Sequence, residues 1–199
     1  MRAIRRDLLA AVIGAVVFTV LFGLAYPLIM TGVTQVAFPN KADGSQIEVN
    51  GKTVGSRLIG QDFSGKRRYF QSRPSVTDYN PAGTFFNNLG PNSADLRNLL
   101  AHNLRVYLHR EGPDNPGLKP SAVPSDAVQT SASGVDPHIS EADAEIQSRR
   151  VARVRRAPLI RVRALVNDNT DGRSLGVLGE PGVNVLELNL ALDKEFPVR

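Results

Sequence analysis

Leu8 to Met30 (LLAAVIGAVVFTVLFGLAYPLIM) contains no charged residue, and the next charge along the chain is Lys41. As an α-helix rising about 1.5 Å per residue the run measures roughly 34 Å, enough to cross a hydrocarbon core about 30 Å thick. Lipid offers the backbone no hydrogen-bonding partner, so a run that spans it has to satisfy its own groups as a helix. Arg2, Arg5 and Arg6 precede it against Asp7 alone, whereas Thr31 to Gly44 carries only Lys41 and Asp43. The positive-inside rule therefore predicts a cytoplasmic tail at 1–7, a transmembrane helix at 8–30 and one extracytoplasmic domain at 31–199. The competing reading is a cleaved signal peptide with Gly23-Leu24-Ala25 as its small-x-small site. Such a peptide needs an apolar core of only about 7–15 residues, and the run continues straight through the site, so the uncleaved anchor is preferred.

Ala11, Ala15, Thr19, Gly23 and Pro27 recur every four residues along the run. A row of small side chains lets a second helix approach closely, which makes these five a candidate partner contact. Chance is the other reading, since Ala and Gly are frequent in membrane helices.

About 170 residues follow the anchor, enough for one domain with its own core. There is no cysteine, which excludes disulfides, thiolate metal sites and a cysteine nucleophile. A net charge of +5 and an isoelectric point near 9.9 point to anionic partners, lipid headgroups or acidic protein surfaces. Nucleic acid is disfavoured by the side of the membrane deduced above. The expected fold class is a membrane-anchored α+β protein: one transmembrane helix, then a domain with a short hairpin or small sheet and several helices.

Along that domain, Pro39 and the polar cluster Asn40–Gln46 end the membrane section. Ile47-Glu48-Val49, Asn50-Gly51 and Lys52-Thr53-Val54 form a hairpin signal, because Asn-Gly suits the two positive-φ positions of a type I′ turn. Residues 56–61 (SRLIGQ) are expected to continue as a strand. Phe63, Tyr69, Phe70, Tyr79, Phe85 and Phe86 follow without periodicity and are expected to plug an irregular core. Asn92 or Ser93 caps a helix to about Arg110 whose stripe is Leu96, Leu99, Leu100, Val106 and Tyr107, and Gly112-Pro113 stops it. Residues 113–125, which include four of the thirteen prolines, read as an exposed mobile loop. Ser140 to Asp143 resembles a capping box opening the next helix, and Glu145 to Arg149 is a favourable i,i+4 pair. Pro158 opens a further helix to Asn167, and 170–182 reads as a glycine-punctuated loop. Val183–Leu192 alternates like a strand, yet Asn184 as cap and the Leu/Glu/Ala content favour a helix.

Chemistry-bearing constellations are scarce. His102 and His109 lie seven apart on one helix with no third ligand at metal spacing. No G-x-S-x-G elbow supports a serine nucleophile. Arg149, Arg150, Arg153, Arg155 and Arg156 cluster at a helix C-terminus, and Arg161 and Arg163 extend them. The simple reading is a solvated helix end complementing the dipole, and the sharper one is a docking patch centred on Arg149 and Arg153. A membrane-anchored binding module using this basic surface, Arg149–Arg163, is the alternative functional reading.

The wording of the chain resembles one family over nearly its whole length. The resemblance rests on Tyr26-Pro27-Leu28 with Thr31-Gly32 and Gln35, on Leu58-Ile59-Gly60-Gln61, on Arg73-Pro74-Ser75 and on Asn88-Leu89-Gly90-Pro91. Thr130 to Gly134, Asp136 to Ser140, Leu178-Gly179-Glu180-Pro181 and Val183-Asn184-Val185 continue it in order. The family is the C subunit of the bacterial Kdp-type potassium-transporting P-type ATPase. The resemblance implies a single-span, non-hydrolytic accessory subunit of the bacterial inner membrane, in complex with a channel-like potassium-binding subunit, a catalytic P-type subunit and a small one-helix subunit. It further implies that ATP, Mg and K are handled by those partners, with no cofactor bound directly. The family's role as a catalytic chaperone raising ATP affinity comes with it, and Gln147 matches a glutamine given a nucleotide-contact role. The deduced topology resists direct contact, because Gln147 and cytoplasmic ATP fall on opposite sides of the membrane, and any effect would have to be transmitted through packed elements.

Overall fold

The computed structural model describes residues 2–83 and 88–197, so Phe85 and Phe86 lie outside the described residues. The chain divides into two compact units after Gln46.

The first unit is dominated by one helix of 36 residues, Arg2–Ala37, about 54 Å long at 1.5 Å per residue. It comprises α1 (Arg2–Val20), a π-helical turn (Leu21–Ala25) and α2 (Tyr26–Ala37). It outruns the expected 8–30 span at both ends. Beyond Met30 the polar residues do not stop it, because Thr31 and Thr34 turn their hydroxyls back onto the carbonyls of Pro27 and Met30. The π turn has a local cause. Pro27 has no N–H to give to the carbonyl four residues back, and the turn before it widens so that Tyr26 N–H reaches Leu21 O instead. A short helix α3 (Pro39–Ala42) follows, and Gln35 ties it back through a 2.9 Å bond to Asp43.

The second unit opens with the expected hairpin, β1 (Gln46–Val49) and β2 (Lys52–Ser56), joined through Asn50 and Gly51 at φ 54° and 74°. The strand stops at Ser56 rather than running on to Gln61, and Ile59 N–H closes a turn onto Ser56 O. Helix α4 (Ala94–Glu111) starts as expected, with Ser93 Oγ accepting the N–H groups of Asp95 and Leu96. Its stripe is only half buried: Tyr107 is enclosed, whereas Val106 faces out. Residues 112–127, expected largely as a mobile loop, fold into three 3₁₀ turns with the Asp114 carboxylate and Asn115 tucked inside. The proline-rich composition reads the same for a loop and for a string of tight turns, so only the buried side chains separate the two.

Strand β3 (His138–Ile139) leads into α5 (Glu141–Arg155), then α6 (Leu159–Asp168), β4 (Thr170–Asp171), β5 (Gly182–Asn184) and α7 (Val185–Glu195). The small sheet has order β3-β5-β4, with β5 antiparallel to both neighbours and Val183 opposite Ile139 and Thr170. Residues 170–182 are thus bounded by paired strands rather than forming one open loop. The last segment resolves towards helix: Asn184 ends β5 and caps α7, its side chain accepting from Glu187 N–H. Ile139, Val151, Val162, Val183, Leu188 and Leu192, with Phe70, form the core between sheet and helices. Helix α5 ends on Arg156 in the left-handed region (φ 54°), with Ala157 N–H on Ala152 O.

At the centre stands a buried ion pair that no local pattern of residues announces. The side chains of Arg150 on α5 and Glu111 at the end of α4 are both 0 % exposed, with Nε 2.9 Å from the carboxylate. The guanidinium also donates to the carbonyls of Arg67 and Tyr69 and to Gln147, which draws the strandless segment 67–71 against the two helices. Breaking a buried pair by removing one partner costs about 3–5 kcal/mol, because a bare charge is left behind, whereas apolar replacement of both costs far less. Glu111→Leu alone should therefore destabilise more than Glu111→Leu with Arg150→Met. Denaturant unfolding of the purified protein, followed by circular dichroism, makes the comparison.

Candidate functional site

Gln147 lies on the inward face of α5 and is 0 % exposed. Its Oε1 accepts Gln71 N–H (2.8 Å) and an Arg150 Nη2 donor (3.0 Å). Its Nε2 donates to Gln71 O (3.2 Å) and to Asp143 Oδ2 (3.0 Å). Two donors and two lone pairs are the whole capacity of a carboxamide, and all four are used within the chain. One residue earlier, Asn189 on α7 treats Phe70 alike, accepting its N–H at 2.9 Å and donating to its carbonyl at 3.0 Å. Two side-chain amides thus stand where a neighbouring strand would, pairing with consecutive backbone residues that have no sheet of their own.

The same network runs outward from Gln147. Asp143 accepts the Tyr107 hydroxyl at 2.6 Å and is itself buried. Burial pushes its carboxyl up to about 6, against the opposing hydrogen bonds from Tyr107 and Gln147. The expected capping box is therefore divided. Ser140 Oγ caps Asp143 N–H, but the return bond to Ser140 N–H comes from Asp126, which leaves the Asp143 carboxylate free to turn inward. Gln71 and Tyr107 line a cleft of about 260 Å³ with Asn103 and Arg110. Gln147 sits behind this wall and lines neither this cleft nor the larger one described below. Asp143, Gln147 and Arg150, at i, i+4 and i+7, are the signal that could have found the network: a polar stripe where a core stripe belongs.

Five of the seven arginines expected as a basic surface are paired with carboxylates. Arg153 reaches the buried carboxylate of Asp114, shared with Arg67. Arg155, its side chain enclosed, bonds Asp193 and two backbone carbonyls and lies over the Tyr69 ring. Arg161 pairs with Glu195, and Arg163 forks onto Glu145, so Glu145 does not make the i,i+4 pair with Arg149. Arg149 is exposed. Carboxylates from distant positions thus pair with four of these arginines besides Arg150, while Arg153 and Arg161 keep most of their side-chain surface exposed. Among the described residues, no group of three His, Cys, Asp or Glu side chains is placed to hold a metal ion.

Ala11, Ala15, Thr19, Gly23 and Pro27 are all exposed on the long helix, as is nearly everything else on it. A row repeating every four residues drifts by about 40° per step on an ideal α-helix, and the wider π turn before Pro27 takes back part of that drift. A Cβ added at Gly23 meets only Thr19 Cγ2, at 3.8 Å, so the helix itself has no need of glycine there.

Residues 8–194 match the family model described as KdpC, the c chain of K+-transporting ATPase. The chain is 46% identical over 180 residues to a potassium-transporting ATPase KdpC subunit from Caldanaerobacter subterraneus, covering 90% of this chain and 91% of the relative. It is 48% identical over 191 residues to the KdpC subunit of Myxococcus xanthus, covering 94% and 88% respectively. With the KdpC subunit of Koribacter versatilis it shares 44% over 200 residues, or 98% and 97% of the two chains.

A carboxyl whose folded pKa is raised binds its proton more tightly in the folded state. Its contribution is most favourable below the unfolded value and is lost as pH rises through about 6. The wild-type protein should therefore lose on the order of 1–3 kcal/mol on this group between about pH 4 and 6. Asp143→Asn, isosteric and uncharged, should flatten that part of the profile. Unfolding free energies of the two proteins across this pH range provide the measurement, and parallel profiles would show that Asp143 does not titrate there.

Proposed function

The chain belongs to the KdpC family of K+-transporting ATPase c chains, and from that premise we propose that it is the accessory, non-hydrolytic subunit of an ATP-driven potassium uptake complex. Its long helix anchors it in the bacterial inner membrane with the N-terminus cytoplasmic and the second unit extracytoplasmic. Its partners are the channel-like potassium-binding subunit, the catalytic P-type subunit and the small one-helix subunit, which between them handle K, ATP and Mg. The single observation that carries the reading is the helix: 36 residues, apolar enough to span, and 0 % buried within the chain's own fold. A helix exposed on every side is left to lipid and to other helices for its contacts.

A catalytic-chaperone effect, raising the ATP affinity of the catalytic subunit, is part of the same proposal, and it acts indirectly. What favours the indirect route is the occupancy of Gln147, whose amide has no hydrogen-bonding capacity left for a nucleotide. Photolabelling the intact complex with an azido-ATP should then mark the catalytic subunit and not this chain; label recovered around Gln147 would reverse the assignment. The helix contact is tested by Gly23→Leu, which the isolated helix tolerates. The variant should lower recovery of the complex in mild detergent several-fold, and undiminished co-purification would remove the small-residue row from the account.

A further inference from the structure

Between β4 and β5 the chain leaves the body of the second unit as an arm. Every residue from Gly172 to Glu180 is exposed. The arm is hydrogen-bonded to itself: Ser174 and Leu178 exchange both backbone bonds at 2.8 and 2.9 Å, and Arg173 forks onto Glu180 across its base. Leu175 and Gly176 form the tip, at φ 55° and 78°. Leu175, Val177 and Leu178 are 90, 72 and 59 % exposed. Leu175 is thus unfavourable twice over for a lone fold. A leucine occupies a backbone region suited to glycine, and its side chain is left in water.

At the foot of the arm lies a cleft of about 440 Å³ whose carboxylates outnumber its one lining arginine: Asp136 pairs with Arg73, Asp171 with Arg57 and Glu180 with Arg173, while Asp126 accepts only from Ser140 among the described residues. Residues 168–182 carry three carboxylates against one arginine, in a chain whose net charge is +5. An apolar tip over an acidic foot is ill suited to an anionic bilayer surface, which attracts the opposite charge. It suits a protein surface that presents an apolar socket beside a lysine or arginine.

We propose that the arm 172–180 is a docking finger that seats Leu175, Val177 and Leu178 in an apolar socket of a fellow subunit, with a basic side chain of that subunit entering the acidic cleft at its foot. The inference rests on the reading of the chain as a subunit of a transport complex. Leu175→Gly separates docking from folding, because it removes the side chain and suits the backbone at once. Carried with Leu178→Ser in the full chain, it should leave the unfolding midpoint unchanged and reduce recovery of the partner subunits about tenfold. A photo-crosslinking residue at position 175 in the intact complex should form an adduct with a protein subunit, while one at exposed Ile160 should not. Crosslinks to lipid alone, or full recovery of partners with the double variant, overturn the proposal. If the wild-type chain itself recovers no ATPase subunits, the reading of the chain as a subunit has failed instead.

Discussion

A guanidinium with no exposed surface must be surrounded by acceptors or lose its charge, and Arg150 meets that demand with groups from three separate parts of the chain. Glu111 supplies the countercharge from α4, Gln147 an amide oxygen from its own helix, and Arg67 and Tyr69 backbone carbonyls from a segment without secondary structure. Each acceptor is useful only if the others are already in place, so the pair couples elements that have little apolar surface to share. Such a pair adds little net stability over a well-packed apolar replacement, but misplacing any partner strands a charge in the interior, which is costly.

The segment from Arg67 to Gln71 shows why this matters. It carries Phe70 into the centre of the core, yet no strand lies beside it to satisfy its backbone. Gln147 and Asn189 take the place of that strand, one from α5 and one from α7. The arrangement gives Gln147 a complete structural account independent of any nucleotide. Through Asp143 it also connects the centre of the fold to Tyr107 and the cleft beside it.

The two units divide the labour differently. The first spends its apolar residues outward, on a helix that buries nothing against its own chain. The second is polar for its size, and it neutralises most of its arginines internally: Arg153 with Asp114, Arg155 with Asp193, Arg161 with Glu195, Arg163 with Glu145. Apolar side chains stay in water along the helix and, in the second unit, at the arm 172–180.

Local chemistry made several features legible in advance. Twenty-odd apolar residues must be a helix, Asn50-Gly51 must turn, Ser93 and Ser140 cap, and Asn184 starts a helix in spite of the alternating leucines; each depends on bonds made within a few residues. Ordered motifs from Tyr26 to Asn184 were equally sufficient to point to the family. The rest depended on residues far apart in sequence. Helix α5 reads as a solvated, arginine-rich helix, yet seven of its residues are buried, because Glu111, Gln71 and Asp193 arrive from elsewhere to pair with it. The strands β3, β4 and β5, two or three residues each, carry no periodicity of their own and exist only through pairing. Sequence alone determined where the chain can enter a membrane and where it turns; which charges are hidden and which apolar groups stay exposed was decided only when distant carboxylates and arginines met in the folded core.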